Sequence, residues 1–130
     1  MKKKILLDSY ALLTYLKKEN NYQRVKEVLL SSENVIMNEL NIGETYYILT
    51  RQRGYQQADY FIEVILPNLA IKVLSNSFDQ VIEASKIKAT YPLSYVDCFA
   101  ITTALREKAA ILTRDPEFKK VEKLVEIEWM

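Results

Sequence analysis

Four acidic residues occupy positions from which their carboxylates could act together. Asp8 and Asp115 follow short apolar runs that are typical of buried strands, and Glu44 and Asp97 lie near the starts of amphipathic helical segments. In open α/β sheets, ligands bind beyond the carboxyl ends of the strands. Four carboxylates gathered at such an edge, with no basic residue among them, would present hard oxygen ligands suited to Mg²⁺ or Mn²⁺.

The elements that must position these acids can be predicted from the apolar pattern. We predict strands at residues 5–7, 35–37, 71–74, 110–113 and 125–127, and helices at 10–18, 22–30, 39–51, 56–66, 78–90 and 94–108. Pro67 should end the fourth helix, because its ring clashes with a preceding turn. Strands that alternate with helices predict an α/β fold, with a mostly parallel five-stranded sheet covered on both faces.

Length and composition predict one domain, spanning residues 1–130. Apolar residues make up 49% and charged residues 27%, which is ordinary for a globular protein. The net charge is only +1, so any contact with RNA must use a local patch. The one cysteine, Cys98, lies in an apolar helical segment and should be a small buried side chain.

Several classes of protein are excluded or disfavoured by what the sequence lacks. There is no histidine, which rules out histidine-based acid–base catalysis and Ser-His triads. Gly43 and Gly54 are the only glycines, too few for a P-loop or a dinucleotide-binding fingerprint. Lysines at 2–4 precede an apolar run, but Asp8 interrupts it, so we expect neither a signal peptide nor a membrane span. A cytoplasmic location is the expectation.

Four segments carry a resemblance to the PIN domain family, in particular to the VapC-like ribonuclease toxins of toxin–antitoxin pairs. ILLDSYALLTYL resembles the opening strand, acid and helix of that family, and NELNIGETYYIL is similar to its second acidic segment. LSYVDCFAITTAL followed by AAILTRDPEF resembles its closing signature, in which a third acid opens a helix and a fourth follows a strand. The resemblance covers nearly the whole chain.

The resemblance implies a three-layer α/β/α sandwich and a metal-dependent endoribonuclease. It assigns Asp8, Glu44, Asp97 and Asp115 as the catalytic and metal-binding quartet, with Mg²⁺ or Mn²⁺ as the cofactor. Such ions lower the pKa of a bound water and stabilise charge on the scissile phosphate, so no protein nucleophile is needed. The products should carry a 5′-phosphate and a 3′-hydroxyl. The implied partners are an RNA substrate, a VapB-like antitoxin whose tail covers the site, and a second copy in a homodimer.

Each acid also has a structural explanation. Asp97 completes an S-x-x-D capping box, and Asp115 precedes a proline as a helix N-cap would. Glu44 fits a first-turn acid favoured by the helix dipole, and Asp8 would be a cap if the next helix began at once. Their joint occurrence in the order of the family favours the functional interpretation.

Other polar residues were weighed as auxiliary groups. Glu39 competes with Glu44 for the second acidic position, but Glu44 fits the pattern better and Glu39 fits an ordinary helix entrance. Ser9 and Thr113 carry hydroxyls beside the proposed ligands, where they could orient a carboxylate or simply stabilise a turn.

Three arginines are possible RNA contacts. Arg114 lies between Thr113 and Asp115 and could reach a phosphate, although a solvated surface role is the simpler alternative. Arg51 and Arg53, with Tyr55 nearby, combine charge with an aromatic surface on which unpaired bases could stack.

Three competing functions were considered. A haloacid-dehalogenase-like phosphatase needs a second acid two residues after the first, where this chain has Tyr10. A phosphoacceptor receiver domain needs an acid after the third strand, where Ser75 follows instead. The remaining alternative is a catalytically inactive PIN-like scaffold that binds RNA or protein, which a metal-dependent cleavage assay would distinguish.

Overall fold

A computed structural model describes residues 3–31 and 34–130, so Lys2 of the lysine run lies outside the described residues. The elements are β1 (Ile5–Leu7), α1 (Ser9–Leu16), α2 (Tyr22–Ser31), β2 (Val35–Asn38), α3 (Glu39–Arg53), α4 (Tyr55–Tyr60), β3 (Ile71–Leu74), α5 (Phe78–Thr90), α6 (Tyr95–Glu107), β4 (Ala110–Thr113) and β5 (Ile127–Trp129). A π-helical turn (Phe61–Ile65) and a 3-10 turn (Leu66–Asn68) follow α4, and a 3-10 helix (Pro116–Val121) joins β4 to β5. The predicted alternation of strands and helices is confirmed.

The five strands form one sheet in the order β3-β2-β1-β4-β5, and every pairing is parallel. Ile5 at the start of β1 is in register with Val35 of β2 on one side and with Ala110 of β4 on the other. The chain moves from β1 toward β3 first, and later from β4 toward β5. The order therefore reverses between β1 and β4, the type of position at which open α/β sheets bind ligands.

Alternating side chains of the strands build two cores, one on each face of the sheet. Ile5 and Leu7 pack with buried residues of α1, α2, α3 and α4, whereas Leu6 packs with buried residues of α5 and α6. Successive side chains of a strand point to opposite faces, so a short apolar strand serves both cores. The result is the predicted three-layer α/β/α sandwich, with a sheet that is wholly rather than mostly parallel.

The predicted end of the fourth helix was wrong. The α-helical geometry of α4 stops at Tyr60, and Pro67 lies within the 3-10 turn that follows the π-helical turn. In a regular α-helix the ring of Pro67 would clash with the carbonyl of Glu63 and remove a hydrogen bond. The chain therefore leaves the α-helical pattern several residues before the proline.

The predicted position of the last strand was also wrong, since β5 shares only Ile127 with the predicted segment 125–127. The Val125 side chain is buried in the core beneath α6, and its N–H donates to the Val121 carbonyl at 3.0 Å. That N–H is used by the preceding turn and is not free to join the sheet. Pairing with β4 begins one residue later, where the Ile111 N–H donates to the Glu126 carbonyl at 3.0 Å.

Cys98 is fully buried in α6, as predicted, and burial raises the pKa of its thiol. Within the described part of the chain, no helix combines the length and apolarity needed to cross a membrane.

Candidate active site

The first and last of the four acids follow neighbouring strands. Asp8 comes directly after β1, and Asp115 comes two residues after β4, at the place where the strand order reverses. Asp8 is completely buried and caps α1, since its Oδ1 accepts a hydrogen bond from the Ala11 N–H at 2.8 Å. The structural explanation for Asp8, that it caps a helix, is therefore also correct, because α1 begins at the next residue.

The Thr113 hydroxyl links these two acids. Thr113 Oγ1 donates to Asp8 Oδ2 at 2.5 Å and accepts from the Asp115 N–H at 3.0 Å. Both oxygens of Asp8 thus have donors, and the backbone of Asp115 is held beside the end of β1. Asp115 Oδ1 in turn accepts from the Glu117 N–H at 3.0 Å and caps the 3-10 helix.

The other two acids reach the same edge from helices. Asp97 is in the first turn of α6 and is only 6% exposed, and Glu44 is half-buried on α3. At α6 the capping acceptor is the Ser94 hydroxyl, to which the Asp97 N–H donates at 3.2 Å. The Asp97 carboxylate is therefore near the helix start without being the group that caps it.

Electrostatic repulsion connects the four acids with one another. Burial raises the pKa of Asp8 to about 7, and repulsion from Asp97 and Asp115 adds to the rise. Hydrogen bonds from Thr113 and Ala11 lower the pKa and offset part of this effect. Burial likewise raises the pKa of Asp97 to about 6, although a hydrogen bond with the Ser94 hydroxyl lowers it. Repulsion from Asp115, Glu44 and Glu117 adds to this second rise. Asp97 is thus repelled by Asp115 and Glu44, and it in turn raises the pKa of Asp8.

The donor chemistry of this cluster fits a hard divalent cation. It supplies only carboxylate and hydroxyl oxygens, and no ion pair among the described residues involves Asp8, Glu44, Asp97 or Asp115. The side chains are not already closed around an ion, because the described residues contain no group of three or more His, Cys, Asp or Glu arranged to hold one. Ion binding would require these carboxylates to turn toward one another.

The structure separates Glu44 from its competitor Glu39. Glu39 is exposed in the first turn of α3, where an acid is favoured by the helix dipole. Glu44 lies one turn further along, close enough to Asp97 and to Tyr10 to raise the pKa of each. Its placement supports the sequence pattern that favoured it.

Ser9 joins the start of α1 to α3 rather than contacting a carboxylate. Its hydroxyl donates to the Asn41 carbonyl at 3.2 Å and accepts from Asn41 Nδ2 at 3.2 Å. Asn41 is fully buried, and its Oδ1 has no partner among the described residues. Sequence analysis assigned no role to Asn41, because its contact with Ser9 joins two helices that are distant in sequence.

The three candidate arginines differ in their relation to the acids. Arg114 is ion-paired to Glu19 on the surface, at 2.9 Å, and lines a small pocket with Asp115. Arg51 lines a second small pocket beside it, whereas Arg53 lies exposed at the end of α3 and lines neither.

Two further residues of the site were missed. Glu117 adds to the negative field at Asp97, and the signal for it was its spacing two residues after Asp115. Tyr10 lies at the opening of α1, and burial raises the pKa of its hydroxyl. Repulsion from Glu44, Asp115 and Asp97 adds to that rise, so the tyrosine is close to three of the acids.

The most spacious cavity described, about 890 Å³, lies elsewhere, between α5 and α6. It is lined by Ser77, Thr102 and Arg106 among others, and by none of the four acids. The acid cluster at the reversal of strand order, rather than this cleft, carries the chemical argument.

The chain matches the family model of the PIN domain over residues 5–124. A search of curated proteins gave no match. Among solved structures it is similar to the Mycobacterium tuberculosis toxin VapC20, which cleaves the sarcin-ricin loop, with a TM-score of 0.75 and 17% identity over 89% of this chain and 93% of that one. It is also similar to DNA-bound VapBC of Salmonella typhimurium, with a TM-score of 0.76 and 16% identity over 98% of both chains. A third similar structure is VapBC-1 of nontypeable Haemophilus influenzae, with a TM-score of 0.68 and 19% identity over 97% of this chain and 96% of that one.

Proposed function

Because the chain belongs to the PIN domain family, we propose that it is a metal-dependent endoribonuclease that hydrolyses RNA phosphodiester bonds. The observation that carries this proposal is the cluster of Asp8, Glu44, Asp97 and Asp115 at the reversal of strand order, with no basic residue paired to it in the described chain. Buried carboxylates without a cation are costly, and binding of a divalent ion would offset that cost.

Asp8, Asp97 and Asp115 would hold Mg²⁺ or Mn²⁺ directly or through water, with Glu44 as a further ligand or the group that orients the attacking water. When bound, the ion lowers the pKa of water and stabilises charge on the scissile phosphate. The Thr113 hydroxyl keeps the Asp8 carboxylate in place. Cleavage would leave a 5′-phosphate and a 3′-hydroxyl.

The raised pKa values of Asp8 and Asp97 add a requirement. In the metal-free protein the carboxyls of Asp97 and Asp8 lose their protons only as the pH rises through about 6 and about 7, and below these values an incoming ion must displace the protons. Ion binding should therefore strengthen between pH 5 and pH 8.

The test is cleavage of single-stranded and hairpin-loop RNA by the purified chain, with Mg²⁺ or Mn²⁺ or with EDTA. We expect internal cuts that need the ion and end in a 5′-phosphate. Cutting that continued unchanged in EDTA would contradict the mechanism, and no cutting with either ion would favour the scaffold.

Two observations favour the scaffold alternative. Asp8 and Asp115 both cap helices, and the described residues hold no preformed metal ligand set. A catalytically inactive PIN-like module that binds RNA or protein would show neither ion-dependent cleavage nor an ion-dependent rise in melting temperature.

We further propose that the chain is the toxin of a toxin–antitoxin pair in the cytoplasm, and that residues 1–130 act as one domain. Two of the structural neighbours named above are VapBC proteins, which supports a VapB-like partner. The tail of that partner would cover the acids, as the family resemblance implies. A neighbouring reading frame for a short DNA-binding protein would support this assignment.

We propose a homodimer as the oligomeric state, because the resemblance to VapC-like toxins implies one and two-fold dimers are the commonest homo-oligomers. Light scattering at micromolar concentration should give about twice the chain mass of 15.2 kDa. A single-chain mass throughout that range would contradict the dimer.

A further inference from the structure

Tyr10 is an aromatic residue that does not pack in either core. It is the second residue of α1 and is 42% exposed, whereas Tyr15 and Leu16 of the same helix pack against the core. Its hydroxyl makes no hydrogen bond to another described residue. Asp8 caps α1, so the helix starts at the sheet edge and its second residue stands beside the acid cluster. Folding alone gives little reason for a large exposed ring here.

Tyr10 lines a pocket together with the last acid. A pocket of about 270 Å³ is lined by Tyr10, Arg114, Asp115 and Pro116. It therefore combines an aromatic wall, a carboxylate of the proposed quartet and a guanidinium group. Arginine matches phosphate geometry with paired donors, so this pocket is suited to a nucleotide next to the cleaved bond.

Tyr10 also lines a second pocket. This one, of about 300 Å³, is lined by Tyr10, Tyr47, Ile48, Arg51 and Gln52. It repeats the combination of aromatic wall and arginine, and it adds the 48%-exposed ring of Tyr47. Tyr10 thus lines both pockets, and each pocket is also lined by one arginine.

This alternation of ring and cation matches unpaired RNA. Successive nucleotides of a single strand offer a flat base and a charged phosphate in turn, and proteins bind them with aromatic platforms and flanking basic groups. Resting on the proposed function, we propose that Tyr10 is the platform on which the base beside the scissile phosphate stacks, with Arg114 and Arg51 contacting the phosphates on either side.

Tyr10 would then be a positioning residue that sets which base is accepted. Every base has a flat face, but purines cover more of a ring than pyrimidines, so the platform favours a purine at the stacked position. Phenylalanine keeps this surface, whereas leucine keeps the apolar bulk and loses the aromatic face. The variants Tyr10→Phe and Tyr10→Leu therefore separate stacking from simple packing.

The experiment measures both cleavage and binding. Cleavage of single-stranded RNAs that differ only at the base beside the cut gives kcat and KM for the parent, Tyr10→Phe and Tyr10→Leu. Anisotropy of a labelled strand with Mn²⁺, in the Asp97→Asn background, gives affinity without cleavage. Tyr60→Ala is the matched control, because Tyr60 is 52% exposed on α4 and lines neither pocket.

We expect Tyr10→Leu to weaken binding on the order of 10-fold, to raise KM more than it lowers kcat, and to level the preference between bases. Tyr10→Phe should stay near the parent. If the parent cleaves but Tyr10→Leu keeps the affinity and preference of Tyr60→Ala, the inference is overturned while the proposed function stands. If the parent fails to cleave with either ion, the proposed function fails first. If Tyr10→Leu loses affinity for a partner protein but not for RNA, the ring serves that partner instead, and the inference is likewise overturned.

Discussion

Replacing Asp97 with asparagine should reduce RNA cleavage at least ~100-fold, which corresponds to about 3 kcal/mol of transition-state stabilisation. The substitution keeps the size of the side chain and removes its charge. Asp97 feels repulsion from Asp115 and Glu44, so its carboxylate is close to the centre of the cluster. The Asp97 N–H keeps its bond to the Ser94 hydroxyl in the variant, so the start of α6 should survive.

Asp8→Asn should have an effect of the same size, because both substitutions remove a proposed ligand. Initial rates at saturating Mn²⁺ are the measurement, with circular dichroism to show that each variant is folded. Glu39→Gln is the matched control, since Glu39 is exposed on α3, and it should stay within about twofold of the parent. If both asparagine variants cleaved at the rate of this control, the quartet would have no catalytic role.

Asp8→Asn should also change how the stability of the metal-free protein depends on pH. The pKa of Asp8 is raised from 3.8 to about 7 by burial, so protonation favours the folded state. Its contribution to stability is complete below pH 3.8 and is lost as the pH rises through 7. The loss is about 1.4 kcal/mol per pH unit between pH 5 and pH 6 and falls off as the pH passes the folded pKa, so that it totals about 3 kcal/mol between pH 5 and pH 8.

Urea or thermal unfolding in EDTA at pH 5, 6, 7 and 8 gives the measurement. The parent should lose stability over this range, and Asp8→Asn should lose about 3 kcal/mol less, a difference of roughly 10 °C in melting temperature. Asp79→Asn is the control, because Asp79 is exposed at the start of α5. Parallel curves for the parent and Asp8→Asn would show that Asp8 is ionised in the folded protein throughout. Thr113 should adjust to the amide, since its hydroxyl already both donates and accepts.

Local patterns were sufficient for most of the fold. β1, β3, β4 and α5 have the predicted bounds, because apolar runs and capping residues mark their ends within a few residues of sequence. The capping box of α5, between Ser77 and Gln80, is such a local signal. The errors occurred where a distant contact decided the outcome. Burial of Val125 beneath α6 moved the start of β5, and no window of sequence around that residue contains this information.

In the candidate site, too, some residues are marked by local sequence patterns and others only by contacts between distant segments. Asp8, Asp97 and Asp115 could be proposed because each follows or opens a recognisable element, whereas Glu44, the sixth residue of α3, was proposed from the family pattern. Tyr10 and Asn41 could not, because their importance depends on which helices lie side by side. Tyr10 acquires its neighbours only when α3 and the segment after β4 reach the same edge of the sheet. Asn41 acquires its neighbour Ser9 only through the contact between α1 and α3.

The position of β1 in the middle of the sheet has a consequence for how the protein is made. Its partners β2 and β4 come later in the chain, and the bond from Thr113 to Asp8 spans 105 positions. Pairing over such separations is slow, because a long loop must close before any contact repays the loss of chain entropy. At ~5 to 20 residues per second, about 5 to 20 s of synthesis separate Asp8 from Thr113. During that time the nascent chain cannot bring its first acid to its last, so the acidic cluster is completed only after β4 and Asp115 have been synthesised.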